Sequence, residues 1–146
     1  MAMIQWIVVA DASRARIFEA PPASSDSGQR LQQVADLANP DGRAREDDLV
    51  SHSAGRGRPG ARTGIAEDNA GDHSLELFSR QVARFLQSAH DQRRYHRLHL
   101  FAAPRLLGRL RRDLSDGVRR IVAEQKNKDI AWFDDGNVDR YFKMTH

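Results

Sequence analysis

Ile4-Gln5-Trp6-Ile7-Val8-Val9-Ala10, then Asp11-Ala12-Ser13, then Arg14-Ala15-Arg16-Ile17-Phe18-Glu19, is the stretch on which the fold turns. Its first part is rich in β-branched residues and nearly continuous in apolar character, the pattern of a central strand covered on both faces. Asp11-Ala12-Ser13 supplies turn chemistry, and the last part reads as a partner strand, so the stretch predicts an antiparallel hairpin whose first strand anchors the core. Pro21 and Pro22 end it.

Working outward, Ala23 to Gly28 is small and polar, a loop by composition, and Leu31 to Leu37 reads as a third strand stopped by Asn39-Pro40-Asp41-Gly42. The chain therefore opens as a three-strand meander. From Gly42 to Gly71 no apolar periodicity survives. Gly55, Gly57, Gly60, Gly64 and Gly71 punctuate a run that contains Arg43, Arg45, Arg56, Arg58 and Arg62. A connection of this length exceeds what a compact domain spends without reason, so it is either functional or disordered. Asp72 is placed to cap a helix from about His73 to Asp91, whose Leu75, Phe78, Val82, Phe85, Leu86 and Ala89 share one face.

Arg97 to Ala102 reads as a strand, and its position after a long helix implies a crossover that brings it parallel to the sheet. Pro104 suits a first helical position. Leu106, Leu107, Leu110 and Leu114 then form one stripe, with Arg105, Arg109 and Arg112 on the opposite side. Ser115 can cap a further short helical turn, Arg120 to Glu124 reads as a strand, and Asp134 or Asp135 can cap a last helix containing Val138, Tyr141 and Phe142. The expected architecture is one three-layer α/β domain over residues 1–146 with a mixed sheet. It comprises an N-terminal antiparallel meander, a long flexible Gly/Arg-rich loop at 42–71, then a helix-strand-helix crossover.

Composition bounds the function. The 146 residues fit one domain, and 40% hydrophobic with 29% charged residues is an ordinary globular balance. Of 23 basic residues only Lys126, Lys128 and Lys143 are lysines, so the positive charge is almost all guanidinium, a planar fork suited to phosphate or carboxylate. A net charge of +3 is modest, and any pull toward nucleic acid depends on clustering. Absence of cysteine removes disulfides, thiolate nucleophiles and thiolate metal sites. Met3 to Ala10 carries Gln5 and lacks the flanks of a signal peptide, and no run reaches the roughly 20 apolar residues of a membrane span, so a cytoplasmic location is expected.

The chemistry-bearing residues exclude more than they select. None of His52, His73, His90, His96, His99 and His146 forms the i, i+4 pair of a helical zinc site, and no metal or cofactor is expected. Ser51-His52-Ser53 are neighbours in sequence only, which does not build a nucleophile with its base. Asp47-Asp48 and Glu67-Asp68 flank the Gly-Arg run and can either bind a cation or pair with its arginines, the pairing being favoured. Gly55-Arg56-Gly57-Arg58-Pro59-Gly60 lacks the Lys-Ser/Thr ending of a phosphate-binding loop and the spacing of a dinucleotide fingerprint. What remains is a backbone segment dense in guanidinium groups, a composition that engages RNA backbones, with the Arg105, Arg109, Arg112 face and nearby Arg119 and Arg120 as an extension. Few aromatics interleave these arginines, so base stacking is not indicated.

Trp6 to Phe18, Asn39-Pro40-Asp41-Gly42-Arg43, Asp48-Leu49-Val50-Ser51 and Ala103-Pro104-Arg105-Leu106-Leu107-Gly108 together resemble the bacterial host attachment protein family, in order and over most of the chain. The resemblance implies a domain similar to the middle domain of archaeal and eukaryotic class 1 translation release factors, in which a Gly-Gly-Gln loop precedes a long helix and promotes peptidyl-tRNA hydrolysis. It places Gly55 to Gly64 where that loop would lie. No Gly-Gly-Gln occurs here, and residues 42–71 hold no glutamine, so the water-positioning step is not carried over. The resulting expectation is a non-catalytic intracellular domain that contacts RNA or the ribosome through Arg43, Arg45, Arg56, Arg58, Arg62, Arg105, Arg109 and Arg112, with Gly55, Gly57, Gly60 and Gly64 shaping the loop. Two alternatives stay open: a peptidyl- or aminoacyl-tRNA ester hydrolase, and a protein-interaction factor with a protein partner in attachment to host cells.

Overall fold

A computed structural model of the protein describes residues 3–21, 31–40, 60–127 and 135–145. Among them the elements run β1 (Gln5–Ala10), β2 (Arg14–Ala20), β3 (Gln32–Ala38), α1 (Gly60–Asp91), β4 (Arg97–Ala102), α2 (Pro104–Asp113), α3 (Asp116–Arg120), β5 (Val122–Asn127) and α4 (Asp135–Thr145). The strands form one sheet in the order β3-β2-β1-β4-β5. β1 pairs antiparallel with β2, and β2 with β3, which is the expected meander. β4 lies parallel to β1 on its other side, and β5 lies parallel to β4. The sheet is mixed, and the domain is α/β.

β1 occupies the centre because its residues tolerate no water on either face. Trp6 through Ala10 are each at most 1% exposed. Since successive strand side chains point oppositely, Trp6, Val8 and Ala10 enter one core while Ile7 and Val9 enter another. The larger core packs the sheet against α1 through Leu75, Phe78, Val82 and Leu86, and against α2 through Leu106, Leu107 and Leu110. Burying each such side chain contributes roughly 1.5–3 kcal/mol. On the other face, Val138, Tyr141 and Phe142 of α4 cover Ile7, Val9, Phe18 and Phe101, which completes the three layers.

The main departure from expectation lies at α1. Its helix opens at Gly60, not at Asp72, so residues 60–71 are helical where the sequence reads as loop. Three glycines in this stretch suggested a break, each costing about 1 kcal/mol relative to alanine. Ala61, Arg62, Ala66, Glu67 and Ala70 are good helix formers, however, and prolonging a helix already nucleated by its packed turns needs no new nucleus. Asp72 consequently stands within the helix and caps nothing. Residues 41–59, with the rest of the expected loop, lie outside the described residues.

Smaller shifts have the same kind of cause. β5 begins at Val122 because Ser115 caps α3, its hydroxyl accepting from the Val118 N–H, and that helix consumes Arg120. A bulge then separates the pairs Leu98–Val122 and His99–Glu124. The extra residue, Ala123, turns Glu124 onto the face that His99 occupies, because strand side chains alternate.

Candidate functional site

The carboxyl ends of the parallel strands are where an open α/β sheet presents its binding surface. Here that edge is assembled from short-range polar contacts. The Asp11 carboxylate accepts from the Ser13 N–H at 2.8 Å and the Arg14 N–H at 3.0 Å, which sets the turn after β1. Asn39, buried at the end of β3, donates its backbone N–H to Ser13 O at 2.8 Å. Its amide donates to Ala12 O at 2.9 Å and to Ser74 Oγ of α1 at 3.1 Å. The point where the chain departs toward residue 41 is thereby fixed to the turn and to α1 together.

α1 and α2 run side by side in the same direction. Asp72 pairs with Arg105, and its carboxylate also lies 3.8 Å from Arg109. Two turns further along, the fully buried Ser79 donates to Asp113 at 2.7 Å. Matching Asp72 to the first turn of α2 means that α1 reaches past the start of α2, and at 1.5 Å per residue Gly60 stands about 18 Å beyond Asp72. Pro40 therefore leaves the sheet at the edge where Arg105 and Arg109 emerge, and α1 extends past that edge to Gly60.

Arg105 retains 70% of its side-chain exposure despite the pairing, whereas Arg109 keeps 23%, tucked beside Asp72. Arg112 is exposed, and its carbonyl accepts from Arg119 at 3.0 Å. Arg62, Gly60 and Gly64 fall within α1. Arg43, Arg45, Arg56, Arg58, Gly55 and Gly57 lie outside the described residues. Sequence reading missed Arg80 and Arg84, which line a groove of about 230 Å³ with Ala83, Gln87, Asp113 and Ser115. Their i, i+4 spacing opposite the Leu75–Phe78–Val82 stripe was the available signal.

A second polar cluster, on the α4 face, was equally hidden. His99 is 3% exposed, with Nδ1 at 2.8 Å from Glu124 Oε1 and Nε2 at 2.7 Å from Gln5 Oε1. The Phe142 ring meets it edge-on at 5.2 Å. Only the bulge in β5 brings the carboxylate there, and a bulge has no sequence signature in this strand. The arrangement holds the imidazole in a buried structural pair.

Among the described residues no three His, Asp or Glu side chains converge as metal ligands, and no helix is long and apolar enough to cross a membrane. Tyr95 has a clear shift in acidity. Burial, with the charge of Asp91 second, raises its phenol well above the ordinary tyrosine range, and the hydroxyl donates to Leu86 O at 2.7 Å. It stacks on Trp6 at 4.7 Å and is a structural group.

A family model described as "Protein required for attachment to host cells" matches residues 6–141, and the chain belongs to that family. A search of curated proteins finds no match.

Proposed function

From membership of the attachment family, we propose that the protein acts as a non-catalytic intracellular domain whose carboxyl edge contacts the phosphate backbone of RNA, free or on the ribosome, and that its part in attachment is indirect. The observation that supports this reading is the side-by-side placement of α1 and α2. It sets Arg105 and Arg109 at the carboxyl edge where the chain departs after Asn39, with Arg112 two turns further along α2 and Arg80 and Arg84 lining the groove between α1 and the end of α2. Guanidinium groups in a row offer forked donors to successive phosphates and specify no base, so the contact is expected to be strongly salt-dependent and weakly sequence-dependent.

The test is co-sedimentation of the full-length protein with ribosomes and with total RNA in gradients at low and raised salt. Association at low salt that is lost as salt rises is the expected result. A protein that stays at the top of every gradient would sink the reading and favour a protein partner instead.

A further inference from the structure

At the opposite edge of the sheet, by the amino ends of β1, β4 and β5, His90, Asp91, Arg93, Tyr95, His96 and Ile121 line a cleft of about 450 Å³. That volume lies in the usual range for small-molecule sites, roughly 300–1,000 Å³.

The end of α1 next to it is closed in an unusual way. Arg94 donates its N–H to Ala89 O at 3.0 Å and Arg93 donates to His90 O at 2.9 Å, the paired contacts of a Schellman ending. The residue that turns the chain there, Arg93, has φ of 58°, in the left-handed region where glycine is the default. A long cationic side chain is thus held where backbone sterics disfavour it, and such residues concentrate at functional sites.

A helix C-terminus ordinarily leaves carbonyl acceptors open. Here Leu86, Ser88, Ala89 and His90 carbonyls accept from the Tyr95 hydroxyl and from the N–H groups of Gln92, Arg94 and Arg93. Asp91 Oδ1 accepts from Gln87 at 2.8 Å. On the donor side, His96 Nδ1 accepts the Ile4 N–H at 3.0 Å, which leaves the ring proton on Nε2. His90 Nδ1 is buried without a hydrogen-bond partner, its ring packed against Gly117. A bare lone pair there is cheaper than a bare N–H, so its proton also sits on Nε2. The backbone acceptors are largely occupied, Asp91 contributes one carboxylate at the helix end, and the donors that face the cleft are the Arg93 guanidinium and the imidazole N–H groups.

We propose that this cleft binds a small molecule carrying an oxyanion, phosphate or carboxylate, with Arg93 as the charged anchor and the His96 Nε2–H as second donor. The inference is independent of the RNA-contacting edge, which lies at the far end of the strands.

The experiment titrates the ¹⁵N-labelled full-length protein with inorganic phosphate, with acetate, and with chloride at matched ionic strength, following the Arg93 side-chain and His96 imidazole resonances. Saturable shifts at both residues with phosphate or acetate and none with chloride are expected, and the tighter of the two anions assigns the ligand class. Arg93→Gly keeps the left-handed turn while removing the side chain with its guanidinium, so it stays folded and is expected to lose about tenfold or more in affinity, as for a hydrogen bond to a charged group. Arg93→Lys is expected to fall between, keeping the charge without the fork. No saturable shift with either anion, shifts confined to other residues, or unchanged affinity in Arg93→Gly overturns the proposal.

Discussion

Consider replacing Arg105, Arg109 and Arg112 together by glutamine and measuring the affinity of the protein for a single-stranded RNA as salt is varied. The structure sets how many phosphate contacts should vanish. Arg105 and Arg109 share the carboxylate of Asp72, so one of the two is neutralised locally, and Arg112 adds a second cation. Two phosphate contacts correspond to a change in the slope of log affinity against log salt of about 1.4 on a single strand. A fourfold rise in salt should therefore cost the wild type about sevenfold more affinity than the variant. Asp72→Asn releases the shared cation and should steepen the wild-type slope by about 0.7, the worth of one further contact. Folding should not confound either result, because exposed ion pairs contribute only about 0–1 kcal/mol. An unchanged slope in the triple variant, with RNA affinity intact, would show that this edge makes no phosphate contact.

Three further predictions concern the scaffold. Leu110→Ala opens a hole beneath α2 at a side chain with no exposure, and should cost about 3 kcal/mol or more, lowering the melting temperature by roughly 10–15 °C in calorimetry. His99→Ala strips Glu124 and Gln5 of a buried partner and should cost about 2–3 kcal/mol in urea titration. Glu124→Gln, which keeps an oxygen acceptor, should cost clearly less, and equal losses would argue against the pair. Gly117→Ala adds a Cβ at 3.4 Å from His90 Cε1, an ordinary contact, so the gain in helix propensity of α3 should stabilise the fold by about 0.5–1 kcal/mol; a loss instead would mean that the His90 ring cannot give way.

The parts of the fold that were legible in the sequence are those where one period dominates. The unbroken apolar run of β1, the alternate facing of Trp6 and Ile7, and the leucine stripe of α2 each admit a single reading, and the structure agrees with it. The start of α1 was illegible because its glycines lower the local helix propensity, whereas helix extension is decided by the packed turns downstream. The same limit applies to the polar clusters. Arg105 and Arg109 were visible as a helical face, but their sharing of Asp72 depends on the parallel alignment of two helices distant in sequence. The His99–Glu124 pair depends on one inserted residue in β5, and the cleft at His96 on a glycine-like turn made by an arginine. None of these leaves a periodic trace.

The clamp at Asn39 separates two contributions to stability. Because that side chain ties the end of β3 to the β1–β2 turn and to Ser74, the register of the β1–β2–β3 meander is settled before the chain reaches residue 41. The connection from there to the helical stretch at Gly60 can lengthen at little thermodynamic expense, since each doubling of a connection adds only about 0.6 kcal/mol of closure entropy. The stability of the meander and that of the connection are thus separate quantities, and a change in one need not be felt by the other.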